Sequence, residues 1–143
     1  MTILRAPQLL LAALAAMLVL GGCSTDSTDS EDSAGDAASA SDPTAIVSPD
    51  VVEERLAAGA TAIDVRTPEE VAAGALPGAI TIDVQSADFD ARVAELDPEA
   101  SYVVYCRSGN RSAAAIERMV DLGFTDLVNG GGYDDLVAAG VGS

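Results

Sequence analysis

The sequence predicts an α/β domain: a parallel sheet with helices covering both faces. Three observations predict it. From about Thr44 onward, short apolar runs of strand length alternate with helix-like stretches, the pattern of a parallel sheet whose crossovers are helical. Gly59, Gly74 and Asp97-Pro98 punctuate that alternation at the places where a helix must stop. The run Tyr102-Val103-Val104-Tyr105 is aromatic and β-branched, delivers Cys106 to its C-terminal end, and passes through a polar loop into a helical stretch. In such sheets ligands bind at the carboxyl ends of strands.

Each element has its own local cause. Ser48-Pro49-Asp50 reads as an N-cap followed by proline at the first helical position, and the helix carries Val51, Val52, Leu56 and Ala57 before Gly59. Thr61 to Val65 is a short buried strand. Thr67-Pro68-Glu69-Glu70 starts another helical turn, stopped at Gly74. Ala79 to Val84 is a strand with Ile80 and Ile82 on one face, and a helix runs from about Ala87 to Leu96. After the Tyr102 to Tyr105 strand comes a helix over Ser112 to Leu122, with Ala114, Ala115, Met119 and Leu122 as its apolar positions. Leu127-Val128 is a strand, and a last helix lies near Tyr133 to Ala139. Gly130, Gly131 and Gly132 lack the lysine and spacing of a phosphate loop, so they are expected to form a turn.

The order strand, loop, helix puts the Cys106 sulfur over the backbone N–H groups of a helix N-terminus, with Arg107 and Arg111 flanking it. That setting lowers a thiol pKa and stabilises an anion on the sulfur. A buried, inert cysteine ending a core strand is the alternative, and the flanking arginines and Gly109 argue against it. Two chemistries use such a loop. A cysteine phosphatase needs a ring of five residues between cysteine and arginine to hold a tetrahedral phosphate. Here four residues separate Cys106 from Arg111.

The shorter loop, Cys106-Arg107-Ser108-Gly109-Asn110-Arg111-Ser112, resembles that of single-domain rhodaneses, the thiosulfate sulfurtransferases. The likeness extends to Ile63-Asp64-Val65-Arg66-Thr67-Pro68-Glu69-Glu70, to Gly74-Ala75-Leu76-Pro77-Gly78-Ala79-Ile80, and to Gly123-Phe124 and Gly131-Gly132-Tyr133-Asp134-Asp135-Leu136. It departs at Ala75, where the family usually has His, and at Leu136, where it often has Trp. The resemblance implies a rhodanese-like three-layer domain with a central parallel sheet of about five strands. It also implies that Cys106 carries a sulfane sulfur as a persulfide between a small anionic donor, such as thiosulfate, and a nucleophilic acceptor. Residues 107 to 111 (Arg107, Ser108, Gly109, Asn110, Arg111) would form the donor site, their backbone N–H groups stabilising the anionic sulfur and Arg107 and Arg111 attracting and orienting the anionic donor. No metal or organic cofactor is implied. A non-catalytic sulfur carrier or binding module is the alternative outcome. Phosphatase or arsenate-reductase chemistry is disfavoured by the short loop and the lack of an acid or base.

Arg66 could approach the same end of the sheet, but an ion pair with Glu69 or Glu70 is the expected arrangement. Asp64 is expected to serve as a structural hydrogen-bond acceptor.

Composition excludes other classes. The net charge is −16, and all seven positive charges are arginine, with no Lys and no His. Nucleic-acid binding needs a basic surface and is disfavoured. The missing His removes the commonest metal ligand and the usual general base, so Ser-His-Asp hydrolysis and His-ligated zinc are excluded. A thiolate supplied by a lowered pKa needs no base.

The N-terminus points to export. Leu9 to Leu20 is an apolar run of about twelve residues after Arg5, short of the roughly 20 needed to span a bilayer and suited to a signal-peptide core. Leu20-Gly21-Gly22-Cys23 resembles a bacterial lipobox. Residues 1–22 are then a lipoprotein signal peptide, 23–43 an acidic disordered tether of Ser, Thr, Asp, Glu, Ala and Gly, and 44–143 the rhodanese-like domain. In this arrangement Cys23 carries lipid on the extracytoplasmic side of the cell membrane, with no protein partner identified. A lipid-bearing Cys23 cannot form a disulfide with Cys106. A lone free thiol in an oxidising compartment calls for a functional reason.

Overall fold

The computed structural model describes residues 42–143; Cys23, the apolar run and most of the acidic segment lie outside the described residues. The elements follow in the order α1 (Pro49–Ala57), β1 (Thr61–Asp64), α2 (Pro68–Ala72), β2 (Ile80–Thr81), α3 (Phe89–Val93), β3 (Ser101–Cys106), α4 (Asn110–Asp121), β4 (Asp126–Gly132) and α5 (Tyr133–Ala138). The strands form a parallel sheet in the order β2-β1-β3-β4. The described residues hold four strands, and Ile46 adds a single parallel bridge to Asn129 beside β4.

Alternation along β3 decides which way the cysteine points. Tyr102, Val104 and Cys106 fall in one core with Phe89 and Val93 of α3 and Ala115, Ile116 and Met119 of α4. Val103 and Tyr105 fall in the other, with Val52 of α1 and Leu136 of α5. A strand's side chains alternate between faces, so the same two-residue period that buries Val104 turns Cys106 toward α4. Both faces of β3 are buried, as expected for a central parallel strand read as a continuous apolar run.

Several elements differ from the expectation. Helix α4 begins at Asn110, two residues before Ser112, because Gly109 takes φ +89° at its N-cap and turns the chain sharply into the helix. Its buried positions are Ser112, Ala115, Ile116 and Met119, whereas Ala114 is exposed and Leu122 is 41% exposed. The stripe is thus rotated by one residue from the predicted one. Helix α3 and strand β2 are shorter than predicted, since only Phe89 and Val93 of that helix reach the core. Gly130, Gly131 and Gly132 are the end of β4 itself and not a turn after it. They pair with β3 through a register shift at Val104/Tyr105, where Tyr105 faces Gly131 and Cys106 faces Gly132. A Cβ on Gly130 would press on Val103, and one on Gly132 on the Arg107 carbonyl. Close packing at Gly130 and Gly132, and φ +79° at Gly131, thus explain the glycines.

Candidate active site

Cys106 is the last residue of β3, fully buried, and a free thiol. Arg107 and Ser108 are exposed, Gly109 is buried, and Asn110 and Arg111 begin α4. The loop curls back so that the Gly109 N–H donates to Cys106 Sγ at 3.1 Å. The Ser112 hydroxyl lies 3.6 Å from the same sulfur. Burial pushes the thiol pKa up. The N–H of Ser108, the hydroxyl and N–H of Ser112 and the N–H of Gly109 together outweigh burial and bring it below the ordinary thiol value. The twelve-residue α4 adds its positive end at the same place.

The arginines divide the work differently from the expectation. Arg111 donates to Glu70 through both terminal nitrogens, Nη1 to Oε2 and Nη2 to Oε1, each at 2.7 Å. The sulfur also acts on the Arg111 guanidinium, behind Glu70. Its charge therefore supports the anion without leading the effect. Glu70 is itself fixed by a capping box at the start of α2, where its carboxylate accepts from the Thr67 N–H and its own N–H donates to the Thr67 hydroxyl. Arg107 has no ion-pair partner among the described residues and stands at the rim.

Arg66 does not pair with Glu69 or Glu70. It makes a buried fork to Asp64, with Nη2 2.7 Å from Oδ2, and also donates to the Gly74 carbonyl. Its guanidinium lies 4.1 Å from the Tyr133 ring centre. Two aromatic faces and a carboxylate two residues away hold it more tightly than a solvated turn carboxylate would. Asp64 is the structural acceptor predicted for it.

Three residues that touch this site were not among the predicted ones: Ser112 as a sulfur donor, Glu70 as the holder of Arg111, and Asn129 beneath both. The Thr67-Pro68-Glu69-Glu70 capping pattern was a readable signal for Glu70's local role, and nothing local pointed it at Arg111. For Asn129 the signal was a lone amide in a strand that after Asp126 is otherwise apolar and glycine.

The fold agrees with comparisons to known proteins. The family described as "Rhodanese-like domain" matches residues 48–139. This chain belongs to that family. It is 34% identical over 96 residues to the thiosulfate sulfurtransferase GlpE of Pseudomonas aeruginosa, spanning 66% of this chain and 84% of the relative. It is 34% identical over 74 residues to the thiosulfate sulfurtransferase PspE of Escherichia coli, spanning 52% of this chain and 71% of that protein. The human single-domain sulfurtransferase TSTD1 superposes with a TM-score of 0.54 at 28% identity, covering 65% of this chain and 95% of that one. Within this domain Gly109 and Ser112 reach the Cys106 sulfur, Arg107 and Ser108 lie exposed in the loop, and Asn110 and Arg111 open α4.

Proposed function

We propose that this rhodanese-like sulfurtransferase takes the outer sulfur of thiosulfate, or of a similarly small anionic donor, onto Cys106. One observation carries the reading: a fully buried thiol that receives the Gly109 N–H at 3.1 Å with the Ser112 hydroxyl 3.6 Å away, groups that favour its anionic form. The Cys106 thiolate attacks the sulfane sulfur, the S–S bond of thiosulfate breaks, and sulfite leaves with the bonding pair. The outer persulfide sulfur then carries the negative charge. A nucleophile such as cyanide attacks that sulfur, forms thiocyanate and returns the thiolate. The Gly109 N–H already donates to Sγ, and the other N–H groups of the loop would meet the outer sulfur as charge moves onto it. Cys106 is fully buried beside exposed Arg107, Ser108 and Asn110, a setting that favours a small donor over a bulky one.

Thiosulfate treatment followed by mass spectrometry is expected to add one sulfur atom at Cys106, and cyanide to remove it. Absence of the adduct in folded wild-type protein would leave only a binding module. An adduct that cyanide cannot turn over would leave a carrier.

We further propose that Cys23 carries the lipid anchor that holds the domain on the extracytoplasmic face of the membrane. The support is the Leu20-Gly21-Gly22-Cys23 pattern after the apolar run. A fatty-acid analogue fed to cells should label wild type and not Cys23→Ala; equal labelling of the two would sink the anchor.

A further inference from the structure

Asn129 lies on β4 with none of its surface exposed, and all of its side-chain hydrogen-bonding capacity is in use. Its Oδ1 accepts from the Ser112 hydroxyl at 2.7 Å and from the Gly131 N–H at 3.0 Å. Its Nδ2 donates to the carbonyls of Thr44 at 2.7 Å and Gly109 at 3.0 Å. Ser112 and Gly109 are the side chain and the loop residue that reach the Cys106 sulfur.

The Ser112 hydroxyl has one proton and three acceptors within reach: Asn129 Oδ1, the Gly109 carbonyl at 2.9 Å and Cys106 Sγ. A carbonyl oxygen has two lone pairs. Those of Gly109 are taken by the Ala113 N–H at 3.1 Å and by Asn129 Nδ2. The proton therefore chooses between Oδ1 and the sulfur. An anionic sulfur is the stronger acceptor. When the proton turns to it, Oδ1 keeps the Gly131 N–H and no buried acceptor is orphaned. Without the carboxamide, the Gly109 carbonyl regains a free lone pair closer to the hydroxyl than the sulfur is, and loses the tie to β4 that fixes the residue whose N–H reaches the sulfur.

We propose that Asn129 is a positioning residue for the sulfur chemistry: one buried carboxamide sets both donors to Cys106, the Ser112 hydroxyl through Oδ1 and the Gly109 N–H by anchoring the carbonyl on the other side of the Gly109 Cα through Nδ2. The proposal rests on Cys106 being the nucleophile of a sulfurtransferase. The charged groups around that sulfur are Arg111 of α4 with its Glu70 partner from α2, Arg107 in the loop, and Asp135 of α5, whose Oδ2 lies beside Gly132 opposite Cys106. Asn129→Leu changes none of them.

The test follows alkylation of Cys106 by iodoacetamide against pH in the full chain, with peptide mass spectrometry separating Cys106 from Cys23. Asn129→Leu is expected to raise the midpoint by about one pH unit. Ser112→Ala should raise it as well, and the double variant should fall short of the sum, because the two residues act on one donor. Thiosulfate:cyanide turnover should fall about tenfold in kcat with little change in KM. If Asn129→Leu does not fold, Asn129→Ala carries the same expectation with no added bulk. An unmoved midpoint, or shifts that add in full, overturns the role of Asn129. A wild type with the lowered midpoint but no sulfur transfer overturns the sulfurtransferase reading instead.

Discussion

Glu70 shows how one side chain can serve two structures at once. Its carboxylate closes the first turn of α2 and also receives both terminal nitrogens of Arg111 at the start of α4. Arg111 is the main reason that the Glu70 pKa falls from 4.5 to about 2, with burial opposing and Thr67 assisting. A carboxylate whose folded pKa is depressed contributes stability that is complete above its unfolded value and is lost as pH falls toward the folded one. The window here runs from about pH 4.5 down to about 2. Glu70→Gln has no carboxylate to titrate there. Its Tm deficit against wild type should therefore be largest near neutral pH and shrink on acidification. A deficit that is constant down to about pH 3 would mean that the ion pair contributes nothing to stability. At neutral pH the same variant frees the Arg111 guanidinium from its fork, so kcat should fall while the loop still forms.

At the scale of elements, α4 decides whether the loop has a platform. It lays Ala115, Ile116 and Met119 on the core shared with β3, and its N-terminus supplies the N–H groups under the sulfur. Ile116 has no exposed surface and packs in the cluster that contains Cys106. Truncating it to alanine should cost about 2–4 kcal/mol of unfolding free energy in a denaturant titration. Leu122, 41% exposed at the C-cap, should cost less than about 1 kcal/mol when truncated. Equal losses at the two positions would mean that the helix is rotated from the orientation described. Periodicity made the helix legible; its rotation about its own axis was less so. Small Ala114 and Ala115 are equally apolar, and only the position of β3 selects Ala115.

For the molecule as a whole, charge sets the approach of a donor. The chain carries −16 overall. Four of its arginines, Arg55, Arg66, Arg111 and Arg118, are tied to carboxylates. An incoming dianion meets a negative body with Arg107 exposed beside the loop as the local exception. Arg107→Ala should raise the KM for thiosulfate several-fold at low ionic strength and leave kcat nearly unchanged. The gap should close as salt screens both the body and the arginine. Arg107→Lys should recover part of the affinity, since a point charge keeps the attraction and loses the planar fork. Steady-state kinetics at two ionic strengths would show it; an unchanged KM in Arg107→Ala at low salt makes the residue a bystander.

Much of this protein was determined by local sequence. Alternation with glycine and proline stops was enough for the α/β class, because strand and helix periods are local properties of the chain. A β-branched strand ending in Cys106, then a short loop with Gly109 and a helix, was enough to single out Cys106 as the candidate nucleophile, because those three pieces are contiguous. Tertiary structure decided what joins distant segments. It gave Arg111 to Glu70, 41 residues earlier, and brought Tyr133 and the Gly74 carbonyl against the Arg66–Asp64 pair. It also brought Asn129 of β4 beneath the loop that β3 and α4 build. A buried ion pair or amide takes whichever partner packing brings within hydrogen-bond reach, and neighbours in sequence are only some of the candidates.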